Sequence, residues 1–279
     1  MSMVQSLASV RGTVKRIPAV RAWLHARLYE HFLSARGFTS YYGVYEGFEE
    51  ARRHLPASRE FDSREVIAGL MNERLYRIYP YDYPVVHWLG QAFLGGATRV
   101  FDLGGSVGVH YHAYHRILPY PDSLQWEVCE VPAAATVGRQ TAERLGSRGL
   151  TFVDKLDPGA VRAQVWISAG ALQYIEDARL DRLLDASPEP PEHVILNKLP
   201  LYDGDEFVVT QNIGPGIYAP AYVYNRARFL EQVKGEGYEL VDGWEVPERS
   251  FYLPGHPERC FQSFSGLYFR RIDTPAARS

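Results

Sequence analysis

Residues 99–111 read "RVFDLGGSVGVHY": two apolar residues run into an acid, Asp102, and side chains then almost vanish. Gly104, Gly105 and Gly108 follow within six positions, with Ser106 between them and His110 and Tyr111 after them. An acid ending a strand before glycine-rich backbone suits close approach of a ligand to the main chain. The next helix start adds free N–H groups. Phosphate, dinucleotide and nucleoside sites are all built this way. A phosphate loop needs a Lys-Ser/Thr pair after its last glycine, and Val109-His110 stands there instead. A dinucleotide fingerprint opening at Gly104 needs glycines at 106 and 109, where Ser106 and Val109 occur, so a nicotinamide cofactor is disfavoured.

The remaining template is an acid-x-Gly-x-Gly-x-Gly turn that holds the nucleoside of S-adenosylmethionine. Asp102, Gly104 and Gly108 fit it, and Ser106 replaces the middle glycine, which requires position 106 to avoid a strongly positive φ. Later strand ends agree. "LQWEVCEVP" ends in Glu130-Val131, and a carboxylate there can accept both ribose hydroxyl hydrogens. "LTFVDKL" ends in Asp154-Lys155, within reach of an adenine amino group. "VWISAGALQYIED" ends in the small residues Ser168, Ala169 and Gly170, leaving room for an amino-acid tail before Gln173 and Tyr174. Ligands of such sheets bind where the carboxyl ends of the strands converge.

Other clusters carry weaker chemistry. His110, His112 and His115 lack a further ligand run, so no metal is expected. Cys129 sits in an apolar strand and reads as packing, and the only other cysteine is Cys260. His110, at the helix start beside the cradle, is the candidate proton acceptor, with His87 and His256 as competitors. Residues 200–221, a long link after the fifth core strand, mix Tyr218 with Gln211 and Asn212. They suit a polar, ring-shaped acceptor.

These residues need elements to hold them. From residue 98 onward strands are predicted at 98–103, 124–130, 150–154, 163–169, 192–199, 238–246 and 264–271. The early ones, such as "VWISA" and "HVILN", are near-continuous apolar runs expected where both faces of a parallel sheet are covered. Helices are predicted at 108–118, 133–146, 177–187 and 222–236. Between the third and fourth strands too few residues remain for a helix. The last two strands, joined by a Pro-containing link, can form an antiparallel edge. Upstream the pattern is helical: Ile17, Val20, Leu24, Leu28 and Phe32 form one stripe, and Asp62-Ser63-Arg64-Glu65 reads as a capping box. A further short helix starts at Pro84 and stops at Gly95-Gly96. The predicted organisation is a helical cap region at 1–96, an α/β core at 97–272 and a tail at 273–279.

"VFDLGGSVGVHY" together with "SAGALQYIED" resembles a family of class I S-adenosylmethionine-dependent methyltransferases encoded among bacterial polysaccharide and natural-product genes. The pattern covers Asp102 to Tyr111 and then Leu172-Gln173-Tyr174, and "YDYPVVHWL" at 81–89 is similar to the family's pre-core segment. The resemblance spans roughly residues 40–272. It implies a doubly wound, mostly parallel seven-stranded Rossmann-like sheet and methyl transfer from S-adenosyl-L-methionine. Asn197-Lys198 departs from the Arg-Thr ending expected after the fifth strand, on the acceptor side. The cofactor set is then Asp102, Gly104, Gly105, Ser106, Gly108, Glu130, Val131, Asp154, Lys155, Ser168, Ala169 and Gly170. His110, Tyr111 and Gln173 face the methyl group, and Tyr81, Tyr174, Asn197, Gln211 and Tyr218 face a small-molecule acceptor, a hydroxylated natural product or sugar. Two alternatives stay open: a non-methylating reaction of the same cofactor such as cyclisation, and a non-catalytic partner subunit.

The bulk properties agree with a globular enzyme. The 279 residues carry 30 Lys/Arg and 33 Asp/Glu, a net charge of −3, which offers nucleic acid no general grip. Residues 1–36 hold a net +5, leaving −8 for the rest, so weak contact of the N-terminal helix with an anionic membrane surface is a further reading. No signal peptide and no membrane span are evident, and the expected location is cytoplasmic.

Overall fold

A computed structural model describes residues 18–58, 60–62, 67 and 74–272. The predicted capping box at 62–65, the basic residues before Pro18 and the tail at 273–279 therefore lie wholly or partly outside the described residues. Asp62 itself is described, and its carboxylate accepts the backbone N–H of Ala133, 2.9 Å away, at the start of a core helix.

The chain opens with helix α1 (Pro18–Leu33), strand β1 (Tyr41–Tyr45), the short α2 (Phe48–Arg53) and α3 (Tyr83–Leu94). The core follows as β2 (Arg99–Leu103), α4 (Val109–Tyr114), β3 (Gln125–Cys129), α5 (Pro132–Leu145), β4 (Leu150–Val153), β5 (Val165–Ala169), α6 (Leu180–Asp185) and β6 (His193–Leu199). Then come β7 (Leu201–Tyr202), β8 (Phe207–Gly214), β9 (Ile217–Asn225), α7 (Arg226–Gly235), β10 (Tyr238–Val246) and β11 (Phe264–Arg271). Among the described residues no helix is long and apolar enough to cross a membrane.

Seven strands form one sheet in the order β10-β11-β6-β5-β2-β3-β4. β4, β3, β2, β5 and β6 run parallel, while β11 lies antiparallel between β6 and β10. The antiparallel strand thus sits inside the sheet, and β10 takes the edge. The alternation along each strand shows why both faces are apolar. Phe101, Leu103, Trp166, Val194 and Leu196 pack on α6 and α7, while Val100, Val128, Val165, Ile167 and Ile195 pack under α3, α4 and α5. The predicted α/β, doubly wound core is present, with the β4-to-β5 connection free of helix.

The upstream region and the 200–221 segment differ from the helix-and-link expectation. β1, β8, β9 and β7 pair in that order as a second, four-stranded sheet, with Tyr41 opposite Gln211. The predicted helix at 222–236 begins only at Arg226, because residues 222–225 complete β9. The Gly214-Pro215-Gly216 stretch and Pro220 read as loop. Yet Gly216, at φ +73, closes a hairpin, and Pro220 stands opposite Thr210 on a strand whose other neighbour, β7, pairs only at Tyr224 and Asn225.

Asn212 ties this second sheet to α1. Its side-chain amide donates to the carbonyls of Phe32 (2.6 Å) and Ser34 (3.0 Å), and its oxygen accepts from the Gly214 N–H at 3.1 Å. Asn212→Ala leaves two of these buried groups unpaired. We expect a loss of about 1–3 kcal/mol in unfolding free energy, read from urea denaturation midpoints at unchanged slope.

Candidate functional site

Asp102 ends β2 on the face covered by α4, with no solvent exposure. Its carboxylate accepts from His110 Nδ1 at 2.9 and 3.1 Å and from Trp126 Nε1 at 3.3 Å. The acid therefore lies beneath the glycine turn and holds it, instead of lining the cavity above. A Cβ at Gly105 would collide with this carboxylate, and one at Gly104 (φ +76) with Ala171. Both glycines are thus required by close approach. Ser106 takes φ +54, which corrects the requirement that it avoid the left-handed region. Its N–H instead bonds Glu130 Oε1 at 3.2 Å, which offsets the local strain. Gly108, at φ +86, caps α4 and presses toward Leu150.

Above the turn lies a cavity of about 1280 Å³. This exceeds the several hundred Å³ usual for one ligand. Gly104, Ser106, Glu130, Val131, Asp154, Ala169 and Gly170 line it at the cofactor end expected from the sequence. Glu130 accepts the N–H groups of Val131 (2.8 Å) and Ser106, which hold its orientation. Burial raises its carboxyl pKa, and these two N–H groups work against that rise. Asp154 is half exposed and 3.6 Å from Arg139. Lys155 is exposed and outside the lining. Ser168 donates to the Leu103 carbonyl at 3.1 Å, so it stitches β5 to β2 and does not face the cavity. Cys129 reaches the lining, and burial first, with nearby carboxylates, pushes its thiol up to about 12.

His110 also opens into this cavity. With Nδ1 donating to Asp102, the other nitrogen, Nε2, is the acceptor of a neutral imidazole. Neither competing histidine lines the cavity: His87 is exposed beside Trp88, and His256 pairs with Glu258 at 3.3 Å. His112 is partly buried with Nε2 unpartnered, and burial followed by His115 lowers its pKa to about 4. Tyr111 is corrected out of the methyl-facing set. Its hydroxyl donates to the Arg148 carbonyl at 2.8 Å and its ring packs on Tyr120 and Trp126, on the covered side of the sheet.

Gln173 is in the lining and buried; its amide donates to the Gly170 carbonyl at 3.3 Å while Oε1 has no partner. That orphan acceptor fits an ammonium or hydroxyl brought by a ligand. Tyr81, Tyr174 and Gln211 line the acceptor end, with Tyr174 donating to Gln211 Oε1 at 2.5 Å. Two acceptor candidates are structural instead. Asn197 donates to the Tyr81 carbonyl (2.8 Å) and accepts from Lys198 N–H and Trp244 Nε1. Tyr218 donates to the Leu33 carbonyl (2.7 Å) and packs on Phe32.

Lys198 is the residue that sequence reasoning missed as a site group. It was visible only as a departure from the strand-ending pattern. At φ +56 it leaves β6 left-handed, passes Gly170 and places Nζ 5.3 Å from the Tyr81 ring centre, buried in the cavity wall. Burial, then the Arg74 and Arg249 guanidiniums, lower its pKa to about 7, while Asp82 and Asp102 oppose this.

A comparison of the sequence with family models finds no match, and one with curated proteins finds none. Solved structures do resemble the chain. Burkholderia thailandensis 1,6-didemethyltoxoflavin-N1-methyltransferase, solved with S-adenosylhomocysteine bound, has 14% identity and a TM-score of 0.47, covering 78% of this chain and 92% of that one. The CcbJ methyltransferase of Streptomyces caelestis has 16% identity and a TM-score of 0.47, over 74% and 96%. Magnesium protoporphyrin IX methyltransferase of Synechocystis has 15% identity and a TM-score of 0.45, over 88% and 99%.

The depressed Lys198 has a consequence for stability. Between about pH 7 and 10.5 the unfolded chain holds a proton that the folded chain has released. Folding stability therefore rises with pH across that window, by up to about 1.4 kcal/mol per pH unit from this group. Lys198→Met removes that rise and is more stable than the parent at pH 6.5. Denaturation midpoints of both proteins from pH 6.5 to 9.5 check this, and equal slopes would refute it.

Proposed function

We propose that the protein transfers a methyl group from S-adenosyl-L-methionine to a hydroxyl of a small, ring-shaped acceptor. The observation that carries the reading is the meeting, in one cavity, of the side-chain-poor turn and Glu130 with an imidazole aimed by a buried carboxylate. In this reading Glu130 accepts the ribose hydroxyls and Asp154 lies toward the adenine. Gly104, Ser106, Val131, Ala169 and Gly170 leave the space the nucleoside and its tail need. Gln173 Oε1 takes an N–H or O–H near the junction of the two ligands.

Bound there, the cofactor supplies an electrophilic methyl. The chain's own work is to position, to exclude water and to take a proton. His110 Nε2 receives the acceptor's hydroxyl proton, and Asp102 holds the ring in the tautomer that allows it and stabilises the imidazolium formed. Tyr81, Tyr174 and Gln211 orient the acceptor, and residues 200–221 with β1 close that end of the cavity. The substrate end is built by the second sheet while the cofactor end belongs to the parallel one, so the two ligands rest on separate scaffolds.

Calorimetric titration with S-adenosylhomocysteine tests the cofactor half: the unaltered protein binds it, and Glu130→Ala weakens binding about 10–100-fold. With an acceptor that supports turnover, His110→Ala lowers kcat by about 10²–10⁴ with cofactor affinity little changed. Failure of the unaltered protein to bind the product would sink the proposal.

A further inference from the structure

The carboxylates around the cavity do not form ion pairs with three of the cations in its wall. Every carboxylate in its lining is engaged elsewhere in the protein. Glu60 and Glu176 pair with Arg52, Asp154 with Arg139, Asp62 with the Ala133 N–H, and Glu130 with two backbone N–H groups. The two acids beneath the wall are occupied as well. Asp82 accepts from the Tyr79 N–H and the Tyr114 hydroxyl, and Asp102 from His110 and Trp126.

Four cations line the same cavity. Arg52 is held by Glu60 and Glu176, whereas among the described residues no carboxylate forms an ion pair with Arg74, Lys198 or Arg249. Lys198 is only 7% exposed and has an aromatic face as its one close partner. Arg249 is held in place by its backbone, whose N–H donates to the Val246 carbonyl (3.0 Å) and whose carbonyl accepts from the Phe264 N–H (2.9 Å). A buried cation without an anion is costly, and two more cations beside it raise that cost. Asp82 and Asp102 offset part of that cost from a distance, and a negative charge brought by a ligand would give the three cations the direct partner that the described residues do not.

Two observations place it at the acceptor. Lys198 is the penultimate residue of β6, and Arg249 stands in the segment after β10. Both therefore lie across β5 and β2 from Glu130 and β3, with Lys198 beside Gly170. The amino-acid tail of the cofactor is a zwitterion, so its single carboxylate neutralises one cation and its ammonium adds another. The wall here is aromatic as well as basic: the Tyr79 and Tyr81 rings stack on each other (2°, 5.3 Å), with Arg77 over the first and Lys198 over the second.

We propose that the methyl acceptor is an anion whose carboxylate or phosphate is held between Lys198, Arg249 and Arg74, with its ring against the neighbouring tyrosines. This inference rests on the methyl-transfer reading above and narrows it from any hydroxylated ring to an acidic one. The anion restores the Lys198 ammonium, so binding above pH 7 takes up a proton.

The test uses the full chain, saturated with S-adenosylhomocysteine. Crystals of that complex soaked in sodium bromide should show an anomalous peak in contact with Lys198 Nζ and the Arg249 guanidinium, and the peak should vanish in Arg249→Gln. Titrations of 4-hydroxybenzoate and phenyl phosphate into the complex, with 4-hydroxybenzamide as the neutral control, then separate the two anion sources by which binds at least tenfold tighter. Absence of bromide there overturns the proposal. So does a tenfold loss of S-adenosylhomocysteine affinity in both Lys198→Met and Arg249→Gln, since the cations would then serve the cofactor. If the unaltered protein binds no S-adenosylhomocysteine, the methyl-transfer reading itself fails, and a bromide peak in ligand-free crystals still identifies the anion site.

Discussion

One buried carboxylate organises the functional half of this molecule. Asp102 is cut off from water, and an unpaired charge there would cost several kcal/mol. It is satisfied by two N–H donors from different elements, His110 at the start of α4 and Trp126 on β3. That arrangement explains the neighbouring residues. Position 105 must be glycine because a side chain would sit on the carboxylate, and the chain must turn sharply enough to bring residue 110 back over residue 102. Ser106 accepts a left-handed backbone to complete the turn, and its N–H then meets Glu130. The acid at the strand end therefore shapes the cradle and aims an imidazole, and it need not touch a ligand to do either.

The two ends of the cavity rest on different structural principles. The end lined by Gly104, Glu130 and Asp154 is built at the carboxyl edge of parallel strands buried on both faces, where backbone positions are set by the core. The other end is built from the second, mixed sheet, a left-handed residue within β6 and the segment between β10 and β11. Its rigidity comes from side chains that reach between elements. Asn197 grips the Tyr81 backbone, Asn212 grips the end of α1, and Tyr218 holds Leu33. Such a division lets the acceptor end change its chemistry without disturbing the sheet.

The electrostatics follow the same division. Glu130 and Asp154 stand just after β3 and β4, Lys198 in β6 and Arg249 after β10, while Arg52 with Glu60 and Glu176 forms an ion-paired cluster beside the second sheet. A left-handed φ at Lys198 is what swings a lysine from strand edge into wall, and the backbone strain is held by the Asn197 side chain bonding the Lys198 N–H. Strain kept at a site and secured by neighbouring packing is a usual mark of positions that serve a ligand.

Much of this was legible in the sequence. Apolar runs located the inner core strands to within two residues, because a strand covered on both faces has no polar face to confuse the pattern, while β10, exposed along most of its length, was legible as part of an antiparallel edge. The glycine spacing and the acid after β3 located one end of the cavity, since backbone approach and charge can be read from residue type. The second sheet was hidden: β1 is short and tyrosine-rich, and β9 carries a proline that its open edge tolerates. Which of two adjacent residues faces a cavity also could not be read locally. Tyr111, Ser168, Asn197 and Tyr218 have the right chemistry, but packing turns them into ties, whereas Lys198 becomes a wall residue through one backbone angle. The sequence by itself determined the core sheet and its glycine turn, because those depend on hydrophobic period and local turn chemistry. Only the tertiary structure decided the second sheet and the basic wall it shares with β6, because these arise where segments distant in the chain converge.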